Sequence, residues 1–159
     1  MDIVLKTILY SYPSYSALIK ELETLAENKA VYSYKNCSKT LEQMEEIIQI
    51  NQQIRKIVEL QDVVNRLIGE LNEKEKRFLE YKYFKRGIPE ECYHNYRTYY
   101  RAQKRILEKL IDFMLLNGYN SAWLKLNYFD LYFIKMKYNR LKKLKDKGTL
   151  SNSASEWAA

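Results

Sequence analysis

Apolar residues recur along this chain at spacings of three and four, with charged and amide side chains between them, a pattern that predicts helices almost throughout. After a cap at Ser14 or Ser16, Leu18, Ile19, Leu22 and Leu25 mark the first predicted helix. Residues 27–39 are more polar and read as a connection, although Val31, Tyr32 and Tyr34 could pack locally. A second helix is expected to start near Ser38 or Thr40 and run to about Gly69, with Leu41, Met44, Ile47, Ile48, Ile54, Val58, Val63, Leu67 and Ile68 at helical intervals. Its heptad repeat is only partial, so packing within a bundle and a seam for a second copy both stay open.

The clearest local signals lie over residues 71–116. Asn72 and Glu75 have the spacing of a capping box, and Phe78, Leu79, Tyr81 and Tyr83 supply the apolar surface of the helix they start. Gly87 can end that helix, and Pro89 suits the first turn of a short helix over 89–93. A longer helix follows over 96–116, with Tyr99, Ala102 or Gln103, Ile106, Leu110 and Phe113 in one band thickened by Leu107, Ile111 and Met114. Three successive helices with a short middle member are what a helix-turn-helix requires. Asn117 and Gly118 break the pattern before a last helix over 121–145, apolar in its first half and basic in its second. The expected organisation is a helical packing or dimerisation region over 1–70, the helix-turn-helix over 71–116, a basic amphipathic helix over 117–147 and a disordered polar tail over 148–159.

Composition narrows the class to all-α, a helical bundle containing a helix-turn-helix, because Gly 4 and Pro 2 are too few for a turn-rich sheet protein of 159 residues. Charge then separates the two halves. Residues 1–80 hold 13 acidic and 11 basic side chains, whereas residues 81–159 hold 7 acidic and 16 basic, a balance of −2 against +9. A basic half beside a near-neutral one points to a polyanion. Cys37 and Cys92 have no CxxC companion, and His94 is the single histidine, so reduced cysteines and no metal site are expected. Without a Gly-rich phosphate loop or a recognisable Ser/His/Asp context, no catalytic residues, no enzyme activity and no cofactor are expected either. The start MDIVLKTILYSYPSYS has no basic leader, and no apolar run is long enough for a membrane span, which leads to the expectation of a soluble cytoplasmic protein.

The segments LNEKEKRFLEYKYFKRG, IPEE and RTYYRAQKRILEKL resemble region 4 of bacterial sigma factors and, more closely, small phage transcriptional regulators of the ArpU and RinA type. The resemblance covers roughly a quarter of the chain, or about half with residues 41–70 as its lead-in. It implies a helix-turn-helix that binds promoter double-stranded DNA and controls transcription, with RNA polymerase or another transcription regulator as a partner and a homodimer left open. Only CYHNY separates IPEE from RTYYR, about four residues fewer than the sigma pattern has, so the recognition helix is expected to project differently.

The residues support a similar reading on their own. Arg97, Thr98 and Arg101 occupy the first turns of the long helix, where a helix in a major groove meets base edges and arginine forks onto guanine. Lys104 and Arg105 lie farther along and suit phosphate, as do Lys82, Lys85 and Arg86 on the preceding helix. Lys143 represents a second basic set with Lys135, Lys137, Arg140, Lys142, Lys145 and Lys147. The competing reading is a non-enzymatic helical interaction module, an adaptor or inhibitor, whose basic face is only solvated surface.

Overall fold

The computed structural model describes residues 2–35, 40–87 and 95–147, with the side chains of 33–35 excepted. The expected short helix over 89–93, the polar tail, Cys37, Cys92 and His94 lie outside the described residues. The elements are α1 (Asp2–Ser11), a 3-10 turn (Tyr12–Ser14), α2 (Tyr15–Lys35), α3 (Thr40–Gly69), α4 (Glu73–Lys82), α5 (Tyr96–Leu116), α6 (Ser121–Tyr128) and α7 (Tyr132–Asp146). The all-α class is borne out: every element formed by the described residues is helical.

Three expectations change. The polar connection over 27–39 is largely helix, because α2 continues to Lys35. Charged and small residues such as Glu27, Lys29 and Ala30 propagate a helix well without an apolar face. The single last helix is two, since Leu131 takes an extended conformation (ψ 117°) and α7 starts afresh after it. Residues 2–11, read only for a leader, form α1, whose Val4, Leu5, Ile8 and Leu9 are buried. Their pairwise spacing was a helical signal.

The chain packs as two units, Pro13–Val63 and residues 1–12 with 64–159. Within the first, α2 and the α3 segment up to Val63 run antiparallel. Gln61 donates to Ser16 Oγ at 3.0 Å, and Lys29 pairs with Glu46 nearer the other end. Tyr15, Ile50, Ile57, Leu60 and Val63 are buried, and burial pushes the Tyr15 phenol well above its usual range.

In the second unit α1 packs on α7 and on α5. Its covering residues share a core with Phe78 and Leu79 of α4, Tyr99, Ile106 and Leu110 of α5, Leu124 of α6 and Ile134 of α7. Aromatic contacts connect the parts. Phe78 meets Tyr99 at 5.2 Å, Tyr10 meets Tyr83 edge-on at 4.8 Å, Tyr12 meets Phe84 at 4.7 Å, and Phe129 meets Tyr138 at 4.9 Å.

Helix ends are where the sequence speaks most directly. The expected capping box at α4 is present: Asn72 Oδ1 accepts from the Glu75 N–H at 2.9 Å, and Glu75 Oε1 accepts from the Asn72 N–H at 3.1 Å. Asn95 and Asn120 cap α5 and α6 through the N–H groups of Arg97 and Trp123. At the far end of α5, Gly118 adopts φ +79°. The Tyr119 N–H then returns to Met114 O at 2.8 Å and the Gly118 N–H to Leu115 O at 3.2 Å, the paired bonds of a Schellman ending.

Glu75 ties α4 to α5 as well as capping α4. The residue is 5 % exposed, and Lys109 Nζ reaches its Oε1 at 3.0 Å. Burial alone would push the carboxyl up. The Asn72 N–H, the Lys109 ammonium and the nearby Arg105 together outweigh burial and hold it below the usual glutamate value. A depressed carboxylate contributes stability above its unfolded pKa of about 4.3 and loses it as pH falls through the folded value. Glu75→Gln keeps a residue able to close the capping box but removes the charge. It should cost about 1 kcal/mol at pH 7, a modest figure because Lys109 is half exposed, and should flatten the acid limb of a stability-against-pH curve measured by urea unfolding.

Candidate nucleic-acid interface

Alternation of faces on α5 sets the geometry of the basic surface. Tyr99, Ala102, Gln103, Ile106, Leu107, Leu110 and Met114 are buried, and Arg97, Thr98, Arg101, Lys104 and Arg105 are exposed. Arg101 is four residues from Arg97, three from Lys104 and four from Arg105, so these side chains follow one side of the helix. Among the described residues the Arg97, Arg101 and Lys104 side chains form no ion pair, while Arg105 contributes to the field on Glu75. Tyr99 is in the core, and Tyr96 and Tyr100 are partly exposed beside the basic series.

Of the three cations assigned to the end of α4, two are at the surface. Lys82 is 2 % exposed, with its Nζ 5.8 Å from the Tyr99 ring centroid, so it is withdrawn from any backbone phosphate. The reason is helical phase: Lys82 falls four residues after Phe78 and three after Leu79, on the face that α4 buries. Beyond it the chain turns. The Tyr83 and Phe84 N–H groups both return to Leu79 O, and Lys85 adopts φ +55°, which lets the Arg86 N–H reach Glu80 O at 2.9 Å. Tyr83 and Phe84 are thereby buried while Lys85 and Arg86 are exposed.

This turn brings together basic residues that are 52 or more positions apart in sequence. Lys137 of α7 is half-buried with its Nζ 5.3 Å from the Tyr10 ring centroid. Burial, then the charges of Arg140 and Lys85, hold its ammonium below the usual lysine value. Lys85 and Arg140 therefore lie close enough to Lys137 to repel it, a concentration of positive charge that an anion would relieve. Lys143 is exposed farther along α7 with Lys142, Lys145 and Lys147. Periodicity had placed Lys137 and Arg140 in a basic patch but could not show that Lys85 joins them.

Bordering the basic series at Lys104, a groove of about 470 Å³ is lined by Ile3, Lys6, Tyr100, Lys104, Leu107 and Leu141 among others. Gln103 forms part of its wall. The Gln103 amide donates to Tyr83 Oη at 3.2 Å, and its buried Oε1 has no hydrogen-bond partner among the described residues. No group of three or more metal-ligating side chains stands together among the described residues, and none of their helices is long and apolar enough to cross a membrane.

Among the described residues the fold is all-helical, and its second unit exposes cations on α5, on α7 and in the turn after α4. Comparison with family models, curated proteins and solved structures finds no match for the chain.

The strain at Lys85 can be measured separately from its charge. A left-handed conformation at a non-glycine residue is unfavourable, whereas glycine adopts it freely. Lys85→Gly should raise stability by up to about 1 kcal/mol in thermal unfolding, and Lys85→Val should lower it.

Proposed function

We propose that this protein is a sequence-specific double-stranded DNA-binding regulator of transcription that uses α4 and α5 as helices of a helix-turn-helix. The observation that carries the reading is the exposed basic series on α5 together with the gathering of Lys85, Lys137 and Arg140 from two other parts of the same unit. Arg97, Thr98 and Arg101 are the base-reading candidates, because they occupy the first turns of α5 and carry donors suited to base edges. Lys104, Arg105, Lys85, Arg86 and Lys143 act on phosphate, with Lys137 and Arg140 added from the geometry.

The mechanism is positional. Phosphate contacts dock the protein, contacts from the start of α5 choose the site, and another surface recruits or blocks RNA polymerase or a second regulator. This division of labour follows from chemistry: an ammonium on a phosphate carries no sequence information, while a guanidinium on guanine does.

Selection from a random duplex pool, followed by salt titration on the recovered site, tests the reading. A recurring motif with salt-dependent affinity is the expected result, and absence of retention at low salt would overturn it in favour of a helical protein-interaction module. Arg101→Ala should weaken cognate binding by about 1–3 kcal/mol and leave random-sequence binding much less affected. Lys143→Ala should lower both affinities alike and reduce the salt slope by about 1.

A further inference from the structure

The unit Pro13–Val63 buries one face of α3 against its hairpin partner and leaves a second apolar stripe in solvent. Leu41 is 79 % exposed, Met44 52 %, Ile48 53 % and Val58 39 %. At about 100° per residue Leu41, Met44 and Ile48 lie roughly 120–180° around the helix from the mean direction of the buried set Gln43, Ile50 and Ile57, and Val58 about 80°. The stripe therefore faces away from α2. Asn51 and Arg55 complete it, so positions 41, 44, 48, 51, 55 and 58 alternate in steps of three and four, the spacing of a coiled-coil seam. An exposed stripe of this kind is costly in a two-helix hairpin, whose own core is small.

We propose that the stripe is the seam of an antiparallel homodimer, in which α3 of one copy packs on α3 of a second. The register follows from the residues themselves. A two-fold axis crossing between Gln49 and Ile50 sets Leu41 against the second copy's Val58, Met44 against its Arg55, and Ile48 against its Asn51. Each of the six seam positions then meets another seam position, and the arrangement closes on itself as a two-fold interface must.

Charge selects the direction. The start of α3 carries Glu42, Glu45 and Glu46, and its middle carries Arg55 and Lys56. Parallel pairing in register would place glutamate beside glutamate and arginine beside arginine. Antiparallel pairing places Arg55 of each copy next to Met44 and Glu45 of the other, where its stem covers the methionine and its guanidinium faces the carboxylate. Arg55 Nε already lies 3.4 Å from Glu59 Oε1 in its own helix, and its side chain is 83 % exposed, which leaves other donors of the fork outward. The Asn51 side chains, each beside an Ile48, fix register at some expense of stability. Two hairpins joined in this way make a four-helix assembly.

Sedimentation equilibrium of the full chain over a wide concentration range, without DNA, tests the proposal independently of any DNA binding. A concentration-dependent shift from monomer to dimer mass is expected. Ile48→Glu should weaken association at least about 100-fold, because the two-fold introduces the buried charge twice, while circular dichroism shows unchanged helix content for this exposed site. Glu45→Lys and Arg55→Glu should each weaken self-association about tenfold, and an equimolar mixture of the two variants should recover the dimer, since each lysine at 45 then faces a glutamate at 55. A monomer mass at every concentration overturns the proposal. So does an Ile48→Glu dimer as tight as the parent, and self-association untouched by Glu45→Lys overturns the antiparallel register.

Discussion

The ten residues of α1 carry a strongly apolar face, with Leu5, Ile8 and Leu9 at the centre of a core that helices from the other end of the chain complete. So short a helix has little stability alone, and it persists because α7 and α5 cover it. Closing the N-terminus onto the C-terminal half joins α1 to α4 through Tyr10 and Tyr83 and brings Lys137 over Tyr10. The arrangement of basic residues depends on this closure, since it is how α7 comes to lie near the end of α4.

Around that core the unit sorts its cations by environment. Lys82 faces inward to an aromatic ring, the half-exposed Lys109 reaches across to a buried carboxylate, and both link helices. Lys85, Arg86 and the α5 series face outward. Residues of similar sequence character thus have different work, and what separates them is the phase of the helix and the left-handed turn at Lys85. Lys137 is intermediate, near enough to other cations for its own charge to be opposed. Under the proposed function a phosphate would offset that repulsion, so the half-buried lysine and its neighbours gain from a polyanion in a way that scattered surface lysines do not.

The other unit poses a different problem. A hairpin of two helices can cover one face of each, and α3 has two apolar faces. Gln61 with Ser16 and Lys29 with Glu46 tie the hairpin at separated points, but neither contact covers Leu41, Met44 or Ile48. A second copy supplies the missing surface under the proposed antiparallel pairing and would link two copies of the chain through one helix pair.

Local chemistry was legible from sequence wherever one short segment contained both partners. The all-α class, the extent of α3, the Asn72 and Glu75 capping box, the buried band of α5 and its stop at Asn117 and Gly118 all rest on spacings of a few residues. The length of α2 was misread because a polar stretch can be helical when its backbone satisfies itself, and the break before α7 because Leu131 carries no breaker residue to announce it. Which of Lys82, Lys85 and Arg86 reach solvent was decided only by packing, as was the approach of Lys85 to Lys137. Hydrogen bonds within a helix and its caps are short-range and appear as periodicity. The covering of α1 and the gathering of charge depend on contacts between residues far apart in the chain, and only the tertiary structure brings those residues together.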